Sequence, residues 1–302
     1  MKTVFIIGGS GFSGRTISRY LSNNFKVIVF DKYIDKEYFS KYPSIQTVEI
    51  DLIENKLPLE YNTPDFIINL VSIVTAERDM SLFDGLISTN LKVLLNLFER
   101  FKNESELKLF IQFGTSEEYG SDHSPFKEDM RENPSSPYAL VKQFTTNTTM
   151  MLHQNYKFPA MVVRPGNLFG PFQHESKFIP YIITQLLANK ELNVSPCEQK
   201  RDFIHVEDFS FIIEELLLNY NKCVGEIVNT SSGESISLKN IIDYCKKETN
   251  SVSKINYGAL PYRENEVMDL RCSVEKLSSI IGQEIKFDIK KRLLDCINDI
   301  NS

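Results

Sequence analysis

Five short apolar runs, rich in β-branched residues, recur through the first 113 residues: "TVFII" (3–7), "KVIVF" (26–30), "IQTVEI" (45–50), "DFIINLV" (65–71) and "KLFIQF" (108–113). Near-continuous apolarity suits strands buried on both faces of a parallel sheet. Helical patterns lie between them. One follows Gly14, a long one covers 81–102, and another covers 136–156 before a further strand, "PAMVVRP" (159–165). Strands alternating with helices imply right-handed crossovers and an α/β, doubly wound parallel sheet. After Gly166 the pattern is less regular. Residues 177–190 and 237–249 read as helices, and "GEIVNTSS" (225–232) as a strand returning to the sheet. The final stretch, 250–302, holds short strands and two helical pieces.

The 302 residues are enough for one large α/β domain, or one with a smaller lobe. Forty acidic against 34 basic residues give a formal net charge of −6. An acidic chain without a long basic run is a poor candidate for nucleic acid or an anionic membrane, so an anionic ligand needs a local basic site. The five cysteines form no Cys-x-x-Cys pair and read as reduced thiols in a cytoplasm. The four histidines show no metal-ligand spacing, so no metal site is expected. The start, "MKTVFIIGGSGFSG", is too short and glycine-rich in its apolar part for a signal peptide, and no run reaches the length of a membrane helix.

"FIIGGSGFSGRTI" places Gly8, Gly11 and Gly14 between a strand and a helix. The first glycine permits a tight turn, the second lets backbone approach a pyrophosphate, and the third allows close helix packing. The helix amino terminus then offers N–H groups to the phosphates. The spacing is G-x-x-G-x-x-G, and by itself it also fits a plain glycine-rich turn. Asp31 closes the second strand 23 residues after Gly8, where an acidic residue holds the adenosine ribose hydroxyls. It would repel a 2′-phosphate, which favours NAD(H); Lys32, directly after it, keeps NADP(H) open. Asp51 is placed to contact the adenine, or else serves as a loop carboxylate or helix cap. The expected organisation is a Rossmann-type dinucleotide-binding domain over 1–166, with 202–232 returning to it. A smaller carboxy-terminal substrate-binding lobe covers 167–201 and 233–302.

"SPYALVK" holds Tyr138 and Lys142 at i and i+4, on one face of a helix. A lysine ammonium beside a tyrosine, with the positive nicotinamide ring, would lower the phenol's pKa. Thr115 can orient a substrate oxygen in the same site. Tyr-x-x-x-Lys alone also fits a solvated helix face. The motifs "GGSGFSG", Asp31, "DL" (51–52), "TSEEYG" (115–120), "SPYALVK", "RPGNLFGP" (164–171) and "RDFIHVEDF" (201–209) follow in one order along nearly the whole chain. In that order the chain resembles an extended short-chain dehydrogenase/reductase of the NAD-dependent epimerase/dehydratase type, the nucleotide-sugar enzymes. It departs from many members at "NLVS" (69–72), where they carry His-Leu-Ala-Ala.

The resemblance implies a catalytic set of Thr115, Tyr138 and Lys142, with Ser116 supporting and Glu117 a candidate base. Lys142 would also hold the nicotinamide ribose. It implies cofactor contacts at Gly8, Ser10, Gly11, Phe12, Gly14, Asp31, Lys32, Asp51, Leu52, Leu70, Val71 and Asn90. It implies nucleotide-sugar contacts at Asn167, Phe178, Arg201, Arg263 and Glu266, with the two arginines on the diphosphate; the plain alternatives are an Arg201–Asp202 surface pair and a solvated Arg263. Three reactions share this scaffold: 4-ketosugar reduction, 4-epimerisation and 4,6-dehydration. "Thr-Ser-Glu" resembles the GDP-mannose dehydratase version of the dehydratase triad, but the tripeptide also occurs in non-dehydrating relatives. "YRENEVMDLRCSVEKLSSIIG" (261–282 region) resembles the ending of GDP-4-keto-6-deoxymannose reductases and CDP-paratose or abequose synthases. The expectation is therefore reduction of a nucleotide-linked 4-keto-6-deoxy sugar for surface polysaccharide such as O-antigen, then epimerisation, then dehydration, by a cytoplasmic homodimer. A non-catalytic dinucleotide-binding regulator is the reading from another class, and the intact Thr115, Tyr138 and Lys142 argue against it.

Overall fold

The computed structural model describes residues 1–75, 77–121, 123–264 and 266–301. Asn265, inside the "YRENEV" stretch, lies outside the described residues. The amino-terminal part runs β1 (Thr3–Ile7), α1 (Phe12–Leu21), β2 (Lys26–Asp31), α2 (Lys36–Ser40), β3 (Gln46–Glu49), β4 (Phe66–Asn69), α3 (Phe83–Phe101), β5 (Leu109–Phe113), α4 (Pro137–Tyr156) and β6 (Ala160–Pro165). Then follow β7 (Asn167–Phe169), α5 (Phe178–Leu187), β8 (Leu192–Val194), β9 (Lys200–Arg201), β10 (Phe203–His205), α6 (Val206–Leu218) and β11 (Ile227–Thr230). The chain ends with β12 (Ile236–Ser237), α7 (Leu238–Glu248), β13 (Ile255–Tyr257), β14 (Asp269–Leu270), α8 (Glu275–Ile281) and α9 (Ile289–Asn301).

Among the described residues, seven strands form one sheet in the order β3-β2-β1-β4-β5-β6-β11, with every pairing parallel. The strand periodicity explains the apolar runs. Val4 and Ile6 face the α1 and α6 side, packing with Ile17, Leu21, Ile212 and Leu216. Phe5 and Ile7 face the α3 side, packing with Val93, Leu97 and Phe101. Both faces are covered, so alternate positions are equally apolar. A third cluster joins α5, α7 and α9 through Ile179, Ile183, Ile241, Cys245, Leu293 and Cys296. All five cysteines are buried free thiols. Among the described residues no helix is long and apolar enough to cross a membrane, and no acidic, His or Cys cluster is arranged to hold a metal ion.

One boundary differs from the sequence reading. Helix α1 does not follow Gly14 but begins at Phe12, with Gly11 as its N-cap. Gly14 lies in the first turn because the helix leans on the preceding loop: a Cβ there would fall 2.5 Å from the Cα of Gly9. The third glycine thus serves packing inside the helix rather than separation before it.

The order of the sheet reverses between β1 and β4, which makes the carboxyl ends of these strands the topological switch point. The polar turn after β5 is held at this edge by a buried network. Thr115 caps a single 3₁₀ turn (Ser116–Tyr119), its hydroxyl accepting from the Glu117 amide at 3.3 Å. Glu118 reaches back to accept from the Thr115 amide at 2.8 Å, completing a capping box. Its other oxygen accepts from Arg164 Nε at 2.9 Å, and both side chains are fully excluded from solvent. Arg164, on β6, also reaches Glu132 at 2.6 Å and lies over the Tyr119 ring. Tyr119 donates to Asn229 Oδ1 on β11 at 2.8 Å. The carboxy ends of β5, β6 and β11 are therefore tied through one set of charges.

A buried pair is costly to break from one side, because the remaining charge keeps its desolvation penalty. Arg164→Met should lower unfolding free energy by about 3–5 kcal/mol in chemical denaturation. The double variant Glu118→Leu/Arg164→Met should lose less than the sum of the single variants, since no charge is left unpaired. Additive losses would show that the two side chains act independently.

Candidate active site

The loop after β1 is organised around Ser10. Its amide donates to Asp31 Oδ2 at 2.8 Å, its carbonyl accepts from Arg15 Nε at 2.9 Å, and its hydroxyl accepts from the Asp35 amide at 2.9 Å. Gly8 has a φ of +79°, and a Cβ there would come within 3.0 Å of the Val71 amide nitrogen. No side chain caps α1, and a Cβ at Gly11 would meet only the Gly8 carbonyl, at 3.6 Å. An uncapped helix start facing open space suits a pyrophosphate. Phe12 is half-buried in the first turn, while Leu70 and Val71 are half-buried beyond β4. Leu52 is buried. Asn90, buried in α3, donates to the Leu86 carbonyl at 2.8 Å and has an unpartnered Oδ1. These residues fit a dinucleotide, with Asp31 at the end of β2 as the acidic group for the ribose.

Asp51 and Lys32 are engaged with each other. Lys32 Nζ lies 2.9 Å from Asp51 Oδ2, while Asp51 Oδ1 accepts from the Ile53 amide at 2.9 Å. Both oxygens of Asp51 thus have partners within the protein.

Tyr138 and Lys142 lie in the first turns of α4, which Ser136 caps by accepting from the Ala139 amide at 3.1 Å. Both are buried, and Lys142 Nζ donates to the Phe113 carbonyl at 2.9 Å. The ammonium lies 5.9 Å from the centroid of the Tyr138 ring. Burial pushes Lys142 down to about 8, with Glu118 opposing. Burial also pushes the Tyr138 phenol up, and the Glu117 carboxylate adds to the rise while a hydrogen bond with Thr115 opposes it. The lowering of the phenol by Lys142 expected from the sequence is not what sets it here: burial and the neighbouring carboxylates raise it, and only the Thr115 hydrogen bond opposes them.

Glu117 opens onto the cleft and is solvent-exposed, yet protein atoms crowd it from several sides. That crowding pushes its carboxyl above the usual range, against the pull of Lys177, Arg201, Arg78 and Arg263 in that order. Four cations therefore face one carboxylate in a chain of net charge −6. Two of them, Arg78 and Lys177, were not among the sequence candidates. Arg78 follows β4 and donates to the Glu264 carbonyl at 3.1 Å across the chain. Lys177 directly precedes Phe178 and forms the N-cap position of α5.

Arg201 pairs with Glu266 and donates to the Val267 carbonyl at 2.6 Å. It does not form the surface pair with Asp202 that adjacency suggested. Asp202 is fully buried and accepts from Ser232 N and Oγ, Gly233 N and Cys272 N. Its role is to hold the loop after β11 against the strand carrying Arg201. Asn167 opens β7, its amide donating to the Asp202 carbonyl at 2.8 Å. Phe178 stacks on Phe203 with ring centroids 6.3 Å apart. Thr115 and Ser116 are buried beside Glu117, and Arg263 faces Glu117.

The sequence profile of the NAD dependent epimerase/dehydratase family matches residues 4–230. The chain is 26% identical over 278 residues to a dTDP-D-glucose 4,6-dehydratase of Dictyostelium discoideum, covering 83% of this chain and 62% of that one. It is 33% identical over 129 residues to a CDP-abequose synthase of Salmonella muenchen, 43% of this chain and 44% of that one. The chain thus spans under two thirds of the length of the Dictyostelium relative. Its fold superposes on a UDP-glucuronic acid 4-epimerase from Bacillus cereus, solved with UDP-glucuronic acid and NAD, with a TM-score of 0.91, 22% identity and 99% of both chains covered. This chain belongs to the NAD dependent epimerase/dehydratase family. The family is NAD dependent, and NAD(H) is the cofactor that this membership brings to the chain.

Two outcomes follow for this site. Tyr138→Phe should lower turnover by about 10²–10⁴-fold, the usual worth of general acid–base catalysis, while NADH still binds by nicotinamide fluorescence. A near-normal rate would assign the proton to another group. Asp31→Asn keeps an acceptor for the Ser10 amide but loses the charge, so it should narrow the preference for NADH over NADPH in equilibrium titrations. An unchanged ratio would place discrimination elsewhere.

Proposed function

We propose that this chain acts on a nucleotide-diphosphate sugar by hydride exchange at carbon 4, and that 4,6-dehydration is the reaction its geometry supports best. The observation that carries this reading is Glu117, a carboxyl raised by its surroundings, on the cleft beside Thr115 and Tyr138. NAD, when bound, accepts and later returns a hydride. Thr115 orients the carbon 4 oxygen and Tyr138 exchanges its proton. Lys142 holds positive charge one turn from Tyr138. Once carbon 4 is a ketone, the proton on carbon 5 is acidic. Glu117 takes it and passes it to the departing carbon 6 hydroxyl, which leaves as water; the hydride taken from carbon 4 would then return to carbon 6, and a proton from solvent to carbon 5. A carboxyl whose pKa is raised is suited to take and then give a proton. Arg263, Arg78 and Lys177 supply the local positive charge for a diphosphate that the overall composition lacks.

The ketosugar reduction expected from the sequence has less support than this. Dehydratases are prominent among the curated relatives, and 4-epimerases among the solved structures of like fold. Epimerisation needs Thr115, Tyr138 and Lys142 but gives Glu117 no proton to move. Reduction keeps one observation in its favour, the 33% identity to the CDP-abequose synthase.

The test offers wild-type protein nucleotide hexoses carrying dTDP, UDP, GDP or CDP, with catalytic NAD and NMR detection of the product. The expected product is a 4-keto-6-deoxy sugar, and Glu117→Gln should lower its formation by at least about 10²-fold. An epimerised hexose formed equally by both proteins would instead select the epimerase. Turnover only of a supplied 4-keto sugar, with stoichiometric NADH, would select the reductase.

The assembly proposed is a homodimer formed through α3 and α4. These helices pack on each other, and Leu94 and Phe98 face the subunit's own core. Leu95, Phe144 and Met151 remain exposed on the outer faces, Phe144 and Met151 seven residues apart and so on one side of α4. Such a surface suits an intersubunit four-helix bundle. Light scattering at micromolar concentration should give twice the 34.8 kDa of one chain, and Phe144→Glu should shift it towards the single-chain mass.

A further inference from the structure

Two cations belong to the segments around Asp31, and each is held by its own acid: Arg15 reaches the carbonyl of Ser10, whose amide donates to Asp31, and Lys32 follows Asp31 in the chain. Arg15 pairs with Asp35 at 3.0 Å, donates to the Ser10 carbonyl, and lies over the rings of Tyr38 and Phe172 at 5.7 and 5.2 Å. It is fixed from four directions. Lys32 is different. Its ammonium pairs with one acid, Asp51 at 2.9 Å, and lies 5.7 Å from the centroid of the Tyr33 ring, and its side chain remains 53% exposed against 20% for Asp51. It directly follows Asp31, whose oxygen is already committed to the Ser10 amide. Asp51 is fixed independently by the Ile53 amide, so the acid stays in place and the lysine is the movable member.

We infer that the Lys32–Asp51 pair is a selectivity device for the cofactor: Asp51 sequesters the cation that a 2′-phosphate would need, leaving the Asp31 carboxylate to meet the ribose unopposed. The hydrogen bond from Lys32 holds the Asp51 carboxyl below its usual range, and the same bond raises the Lys32 ammonium, so both stay charged through neutral pH. Without Asp51, a half-exposed lysine beside the ribose site is a point charge free to approach a phosphate. The same side chain that would favour NADPH is thus silenced by a residue on the neighbouring strand end. This inference concerns cofactor selection only, and it stands whichever reaction the enzyme performs.

The chain contains no tryptophan, so the fluorescence of the reduced nicotinamide can be followed directly in equilibrium titrations with NADH and NADPH. The quantity read is the ratio of the two dissociation constants at about 0.1 M salt, where an exposed ion pair is screened but not abolished. Asp51→Asn should shift that ratio about tenfold towards NADPH, as expected for one freed charge near a phosphate. Asp51→Glu, which keeps the acid, should leave the ratio within about twofold of wild type. Lys32→Met in the Asp51→Asn background should return the ratio to near the wild-type value. Lys32→Met alone leaves the Asp51 carboxylate uncompensated and should, by the same Coulomb argument, shift the ratio towards NADH. Equal weakening of NADH and NADPH by Asp51→Asn would overturn the inference and give Asp51 a direct contact with the adenosine. A shift towards NADPH in Lys32→Met alone would also overturn it, by showing that the Asp51 charge is not felt where a 2′-phosphate would sit.

Discussion

The ion pair between Glu118 and Arg164 is the constraint on which the catalytic turn depends. Both side chains are wholly buried, so each needs the other. Glu118 also holds the Thr115 amide, and Thr115 begins the turn that carries Ser116 and Glu117. The reactive groups are thereby positioned by residues that do not face the cleft. A stable anchor behind an exposed carboxylate lets Glu117 remain in a crowded, charged setting without its own fixed partner. It also explains why two adjacent glutamates, identical in side chain, have different parts: one points into the sheet and one points out.

Much of the scaffold was legible because it rests on local patterns. The apolar runs of β1, β2, β5 and β6 alternate between two covered faces, and the structure bounds them within a residue or two of the sequence reading. The Tyr138 and Lys142 spacing was readable for the same reason, since a helix places positions four apart on one face. What escaped was non-local. Nothing in "TSEEYG" says which glutamate meets an arginine 46 residues later. The plain alternative of an Arg201–Asp202 surface pair fails because Asp202, between β9 and β10, is turned inward to accept from Ser232, Gly233 and Cys272. Arg78 and Lys177 carry no motif at all, and only the tertiary fold brings their charges to act on Glu117. The start of α1 was misplaced because glycine reads as a breaker, whereas here Gly14 permits the close approach of a helix to its own loop.

The electrostatics of the two ends of the cleft are opposed. Around the ribose site, cations are cancelled one by one by Asp35 and Asp51, so the local field is that of Asp31. Around Glu117, cations outnumber the acids that face them. An overall negative chain thus presents one region suited to hydroxyl groups and another suited to phosphate. Selectivity of this kind comes from local pairing and not from net charge.

The place of β11 in the sheet bears on how the molecule is made. Tyr119 is anchored by Asn229, which lies 65 residues beyond Arg164 in the chain and on the outermost strand of the sheet. During synthesis, β1 to β6 emerge first and contain every strand of the nucleotide side. The turn bearing Thr115 and Glu117 already has its Arg164 anchor once β6 is made, and β11 adds only the hydrogen bond to Tyr119. In chain order every partner that fixes the loop around Ser10 therefore precedes the last partner of this turn, which comes from 110 residues further on.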